Sequence, residues 1–133
     1  MRAIRSVLVS LSALAVLSAP VAAQEGGNTS DMDTALAAGY KAGFICSAMF
    51  TAGQPLNEIE MNELSGIYPD YRRDFDRLPE ATIDPRKHIV TVAYSDTIPP
   101  RMAAWRPGFG CTQLPIGAEE GALNFLPRFA AWP

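Results

Sequence analysis

The segment GFICSAMFTAG, residues 43–53, constrains the fold of this chain more than any other segment. If it forms a helix, its large apolar side chains point in almost every direction around the axis, and only Ser47 and Thr51 are polar. A helix that is apolar on all sides is typical of a buried element. We therefore predict a first helix over about residues 31–52 that ends at Gly53 and is enclosed by protein.

The first 23 residues have the pattern of a secretory signal. Two arginines in the first five residues precede an uncharged apolar run over residues 6–18, and Val21 and Ala23 occupy the small-residue positions before a cleavage site. A membrane anchor is the alternative, but the run is shorter than the roughly 20 residues that a spanning helix needs. We predict that residues 1–23 are a removed signal peptide, that residues 24–34 form a flexible leader, and that the mature protein is periplasmic or secreted without a membrane span.

The chain contains two cysteines, Cys46 in the apolar helix and Cys111 after the turn PGFG. As free thiols they would be small apolar core residues, and as a disulfide they would tie the first helix to the following strand. An oxidising export compartment favours the disulfide, because such bonds persist there. With His88 as the sole histidine, the cysteines are too few for a structural zinc site, which takes four ligands. We predict a Cys46–Cys111 disulfide and neither a metal nor a cofactor.

Further along, residues 55–64, PLNEIEMNEL, predict a second helix with Met61 among its apolar positions. Residues 67–80 mix aromatic residues, charges and prolines, which predicts an irregular connection with one short turn. Gly39 and Gly43 share one face of the first helix and predict a flat patch that another backbone approaches.

After residue 80 the apolar residues recur with the period of strands. ATID, HIVTVAYS and RMAAWR predict strands, DPRK predicts a turn between the first two, and CTQLP follows the turn PGFG. HIVTVAYS is apolar on both faces, which predicts cover on both sides. We predict an α+β fold in which two N-terminal helices pack on a small antiparallel β-sheet. Residues 35–118 form this unit, and residues 119–133 form an irregular tail.

Sequence motifs for catalysis are absent from the printed chain. No serine is followed three residues later by lysine, and Gly-x-Ser-x-Gly, His-Glu-x-x-His, Cys-x-x-Cys and a glycine-rich phosphate loop do not occur. His88 is expected to be a solvated turn residue. The acidic pairs are expected to be solvated surface, because their neighbours are charged; they are Asp74 with Asp76 and Glu119 with Glu120. We assign no catalytic residue and predict no hydrolase activity.

The charge pattern bears on partners. The formal net charge is −3, and the basic residues are few and scattered along the chain. Nucleic-acid-binding proteins carry clustered basic residues instead. We therefore predict that nucleic acid is not a partner.

Two blocks of the chain carry a family pattern. The first is AAGYKAGFICSAMFTAGQPLNEIEMNEL, with a CS-x-x-F-x-x-G helix, and the second has the form R-x-A-x-x-R-x-G-x-G-C-T. The matching positions are Cys46, Ser47, Phe50, Gly53, Arg101, Ala103, Arg106, Gly108, Gly110, Cys111 and Thr112. These blocks resemble the N-terminal region of secreted β-lactamase-related serine hydrolases, which are described as 6-aminohexanoate-dimer hydrolase-like or class C β-lactamase-like.

The resemblance implies part of a larger hydrolase fold, truncated before the catalytic Ser-x-x-Lys. No catalytic residue of the family maps onto a position of this sequence. The first hypothesis is a non-catalytic N-terminal segment of an exported serine hydrolase, whose missing catalytic body would cover the first helix. Without that body, the chain alone would leave part of the helix exposed and could self-associate through it. The alternative is a stand-alone, exported, disulfide-stapled binding or interaction domain. An autonomous small hydrolase is disfavoured by the absent motifs.

Overall fold

A computed structural model of the chain describes residues 29–127. The predicted signal peptide (1–23), the start of the predicted leader (24–28) and the end of the predicted tail (128–133) lie outside the described residues. The described elements, in chain order, are α1 (Thr29–Cys46), a π-helical turn (Ser47–Thr51), α2 (Leu56–Asn62), α3 (Pro69–Phe75), β1 (Thr82–Asp84), β2 (Ile89–Val92), β3 (Arg101–Arg106), β4 (Gly110–Gln113) and a 3-10 helix (Glu120–Phe125).

The four described strands form one antiparallel sheet in the order β1-β2-β3-β4, which confirms the α+β prediction. Asp84 makes the turn between β1 and β2, because its Oδ1 accepts hydrogen bonds from the backbone N–H groups of Arg86 and Lys87. These bonds, the one from Lys87 foremost, lower the pKa of the Asp84 carboxyl. The DPRK turn is therefore confirmed, although β2 ends at Val92 and is shorter than the eight residues of HIVTVAYS.

Helix α1 differs from the prediction at both ends. It begins at Thr29, so residues 29–34 are helical rather than part of a flexible leader. Asp31 lies in its first turn, where a carboxylate interacts favourably with the helix dipole. At the other end the helix widens into the π turn, in which the N–H of Ala52 donates to the carbonyl of Ser47. Gly53 then ends the helix with φ of 71°, as predicted.

The main core lies between α1 and one face of the sheet. Ile45 and Cys46 are fully buried there against Val90, Val92 and other core residues. The described residues do not enclose the apolar helix on all sides, because Phe44 is 40% exposed, which agrees with the expectation that this chain alone leaves part of the helix uncovered. The sheet covers one side of α1 and α3 covers another, and no other described element covers the remaining side.

A second, smaller core covers the other face of the sheet, so β2 is covered on both sides as predicted. Its buried residues are Ile89, Met102, Ala104 and Leu114. The expected irregular tail instead contains the 3-10 helix, and Leu123 and Leu126 pack on this face. Lys87 pairs with Glu120, and Arg106 donates a hydrogen bond to the Pro127 carbonyl, so polar contacts hold the segment at both ends.

Two further predictions in the helical layer are wrong. The connection expected to be irregular contains α3, which starts with Pro69 at its first turn and carries an Arg72–Asp76 ion pair one turn apart. Met61 is 64% exposed rather than apolar core. It lies two residues from the fully buried Ile59, and this spacing places it on the opposite side of α2.

Candidate binding surface

Cys46 and Cys111 form the predicted disulfide. The bond joins the end of α1 to β4, with the two Cα atoms 6.1 Å apart. Cys111 pairs in register with Trp105 of β3 and is partly buried, whereas Cys46 is fully buried. The bond fixes the apolar helix on the edge strand of the sheet, which is a structural role.

His88 is exposed in the turn before β2, as predicted, but its ring is not isolated. It lies between the rings of Phe50 and Trp105, with both centroid distances at 5.1 Å. Its backbone has φ of 55°. The imidazole therefore bridges the π turn and β3, which is a packing contact.

Among the acidic residues named from the sequence, Asp74 departs from expectation. It is 5% exposed, because it shares the inner side of α3 with the neighbouring Phe75. The guanidinium groups of Arg73 and Arg77 lie 3.7 and 4.0 Å from its Oδ1. Asp76 is exposed as predicted. Glu119 and Glu120 are exposed as well, so the structure brings no two of these carboxylates into a shared enclosed site.

An exposed apolar ridge runs along α1. Its members recur every four residues, and we call them the α1 ridge: Met32, Leu36, Tyr40 and Phe44. Their exposed fractions are 54%, 51%, 37% and 40%. The rings of Tyr40 and Phe44 stack with centroids 4.2 Å apart. Residues at this spacing form one of the rows that helices use to pack on other helices.

A groove adjoins the α1 ridge on the side of α3. Its volume is about 370 Å³, and its walls include Leu36, Tyr40, Ile67, Tyr68, Tyr71 and Phe75. Tyr68 and Tyr71 are 77% and 50% exposed, so the groove opens to solvent. Contiguous apolar surface of this kind, lined by tyrosine rings, is typical of interaction sites.

On the side of α1 that faces β3 and β4, the two glycines face side chains rather than another backbone, which corrects the prediction. A Cβ atom at Gly39 would lie 2.9 Å from Nε and Nη2 of Arg101. A Cβ atom at Gly43 would lie 2.5 Å from Nε2 of Gln113. The glycine face therefore accommodates two polar side chains that rise from β3 and β4.

Arg101 is the functional candidate that sequence reasoning missed. The side chain is 8% exposed, and its Nη2 donates a 3.2 Å hydrogen bond to Oε1 of Gln113. Its Nε and Nη1 are buried without a hydrogen-bond partner, and so is the hydroxyl of Tyr94. Burial lowers the pKa of the guanidinium. The sequence did contain a signal for this residue. Arg101 begins an otherwise apolar strand, RMAAW, and the first helix offers a glycine pair that could accommodate its side chain.

Comparison with known proteins identifies no relative of this chain. There is no match among family models, curated proteins or solved structures. The serine hydrolase resemblance therefore stays a prediction. Within residues 29–127, no group of three or more metal-binding side chains comes together. No helix in the same range has the length and hydropathy to cross a membrane.

Proposed function

We propose that this protein is a non-catalytic, exported binding domain that docks onto another protein through the α1 ridge and the adjoining groove, which is lined by Tyr40, Tyr68 and Tyr71. The observation that carries the proposal is the α1 ridge itself, four large apolar side chains exposed in one row. Surface of this kind is costly to leave in water and is typical of a contact with a partner.

The interior of the domain supports the proposal. Behind the ridge, the α1 residues that face the sheet are fully buried by the chain's own strands, including Ile45 and Cys46. The disulfide fixes this packing. The domain therefore has a packed core without the ridge residues, and these remain available for contact with a partner.

The groove supplies the features that a specific contact needs. Aromatic side chains with a polar end dominate the energetic centres of protein interfaces, and tyrosine is prominent among them. Tyr40, Tyr68 and Tyr71 converge on one groove here. A partner side chain that enters the groove would be surrounded mainly by apolar carbon, and the tyrosines can add hydrogen bonds through their hydroxyl groups.

The resemblance suggests what the partner surface would be. If the chain is related to β-lactamase-related hydrolases, the surface that covers the α1 ridge is the catalytic body of such an enzyme, and this domain contributes binding rather than chemistry. A second copy of the domain is the other candidate, because rows of residues spaced by four interdigitate with one another.

Site-specific photo-crosslinking tests the proposal. A photoreactive phenylalanine analogue replaces Leu36 on the ridge or, as a matched control, Asn124 on the far side of the sheet, in cells that export the protein. Crosslinks at Leu36 that are absent at Asn124, and that Phe44→Glu removes, are the expected result. Equal crosslinking at the two positions, or none at Leu36, would refute the docking role.

A further inference from the structure

A buried charge next to the α1 ridge, between α1 and the sheet, points to a second binding site. Arg101 carries a guanidinium that stays protonated at every working pH, and two of its three nitrogen atoms, Nε and Nη1, have no hydrogen-bond partner. None of the described ion pairs involves it, so no carboxylate among residues 29–127 neutralises the charge. Buried charges are normally paired, because an unpaired one costs several kcal/mol.

Gln113 connects this charge with a surface cleft. The side chain of Gln113 accepts the hydrogen bond from Arg101 and also packs against Gly43. On its outer side, Gln113 lines an open cleft of about 220 Å³ together with Gly43, Phe44, Ser47 and Cys111. Gln113 is itself exposed, and its amide oxygen is a neutral acceptor at 3.2 Å.

We propose that this cleft binds a small organic acid, whose carboxylate takes the place of the Gln113 amide oxygen on the guanidinium of Arg101. The exchange is favourable because it pairs the buried positive charge with an opposite charge, which the neutral amide oxygen of Gln113 does not supply. The planar fork of the guanidinium also matches the two oxygen atoms of a carboxylate.

The rest of the cleft suits such a ligand. The hydroxyl of Ser47 lies at the wall and can donate to a carboxylate oxygen, whereas the ring of Phe44 offers an apolar surface to the carbon skeleton. The Gln113 side chain fills the space beside Gly43, so the ligand gains room on this side of α1 when Gln113 swings out toward solvent. The site takes a compact monocarboxylate with an aromatic or short aliphatic body.

The test is a titration of the mature protein with benzoate, with uncharged benzamide as the matched probe, at constant ionic strength. Binding is followed by NMR through the Nε–H signal of Arg101 and the backbone amide of Ser47. We expect saturable shifts with benzoate and none with benzamide. Shifts that do not saturate, or that benzamide reproduces, would overturn the proposal.

Variants separate the site from general charge effects. Gln113→Ala removes the competing acceptor and should tighten benzoate binding about threefold or more. Arg101→Lys keeps the charge without the fork and should weaken binding about tenfold. Arg86→Met, at an exposed turn arginine, should leave the affinity unchanged. Because Gln113 is on the surface, its variant folds even if changes at Arg101 do not, and unchanged affinity in Gln113→Ala would refute the assignment.

Discussion

Removing the disulfide gives the most quantitative prediction of this structure. The bond links positions 65 residues apart, from the end of α1 to β4. In the chain-entropy treatment, a closed loop of that length lowers the entropy of the unfolded chain enough to contribute about 4 kcal/mol at 25 °C. Since small domains are stable by only about 5–15 kcal/mol, the bond supplies a large share of the total.

The assay is urea unfolding of three proteins: the oxidised form, the reduced form and Cys46→Ala/Cys111→Ala. The reduced form keeps both sulfur atoms in place and loses only the covalent bond, so it isolates the loop term. We expect the free energy of unfolding to fall by about 4 kcal/mol on reduction, with a melting temperature roughly 20 °C lower.

The alanine pair should lose slightly more stability than the reduced form, because Cys46 is fully buried and its sulfur fills core volume. A difference below about 1 kcal/mol between the oxidised and reduced forms would refute the reasoning, since the loop term alone exceeds it.

The remaining predictions concern α1, the β1–β2 turn and catalysis. Gly39→Ala should lower the free energy of unfolding in urea by about 1–3 kcal/mol, because the new Cβ atom meets the buried Arg101 side chain. The matched variant Gly43→Ala should leave stability unchanged or raise it, because its Cβ atom meets only the Gln113 amide, which can move. Equal effects of the two variants would contradict this prediction. The carboxylate of Asp84 has a lowered pKa, so its contribution to stability is present above the unfolded pKa and is lost as pH falls through the folded value. Asp84→Asn should therefore lower the free energy of unfolding at neutral pH and weaken the pH dependence of stability below about pH 4. If the variant shows the same pH dependence as the original protein, the Asp84 turn contact is not its cause. Nitrocefin, p-nitrophenyl esters and short amides should not be turned over above the buffer rate; turnover that survives repurification and disappears on substitution of one serine would show an unrecognised active site.

Local sequence signals predicted the elements that local chemistry determines. Alternating apolar residues identified the strands, Asp84 identified the turn between the first two, and Gly53 identified the end of the first helix. The pairing of Cys46 with Cys111 followed from the cysteine count and the predicted export signal. In each case one or two residues carry the physical cause, so an isolated sequence is sufficient.

Tertiary packing decided the features that the sequence did not reveal. A segment that is apolar all round gives no direction for burial, so it could not show that Phe44 faces solvent while Ile45 faces the sheet. The burial of Asp74 depends on how α3 lies against α1. The unpaired guanidinium of Arg101 depends on contacts across three elements, and no local pattern encodes it.

Calorimetry of residues 24–133 tests most directly whether they fold as an independent domain that has an exposed apolar ridge in addition to its own core. The account predicts a single cooperative transition, with equal calorimetric and van't Hoff enthalpies and an unfolding enthalpy of about 70 kcal/mol near 60 °C, as expected for roughly 100 ordered residues. A broad transition with less than about half of that enthalpy would contradict it, because the interior would then need another polypeptide to pack.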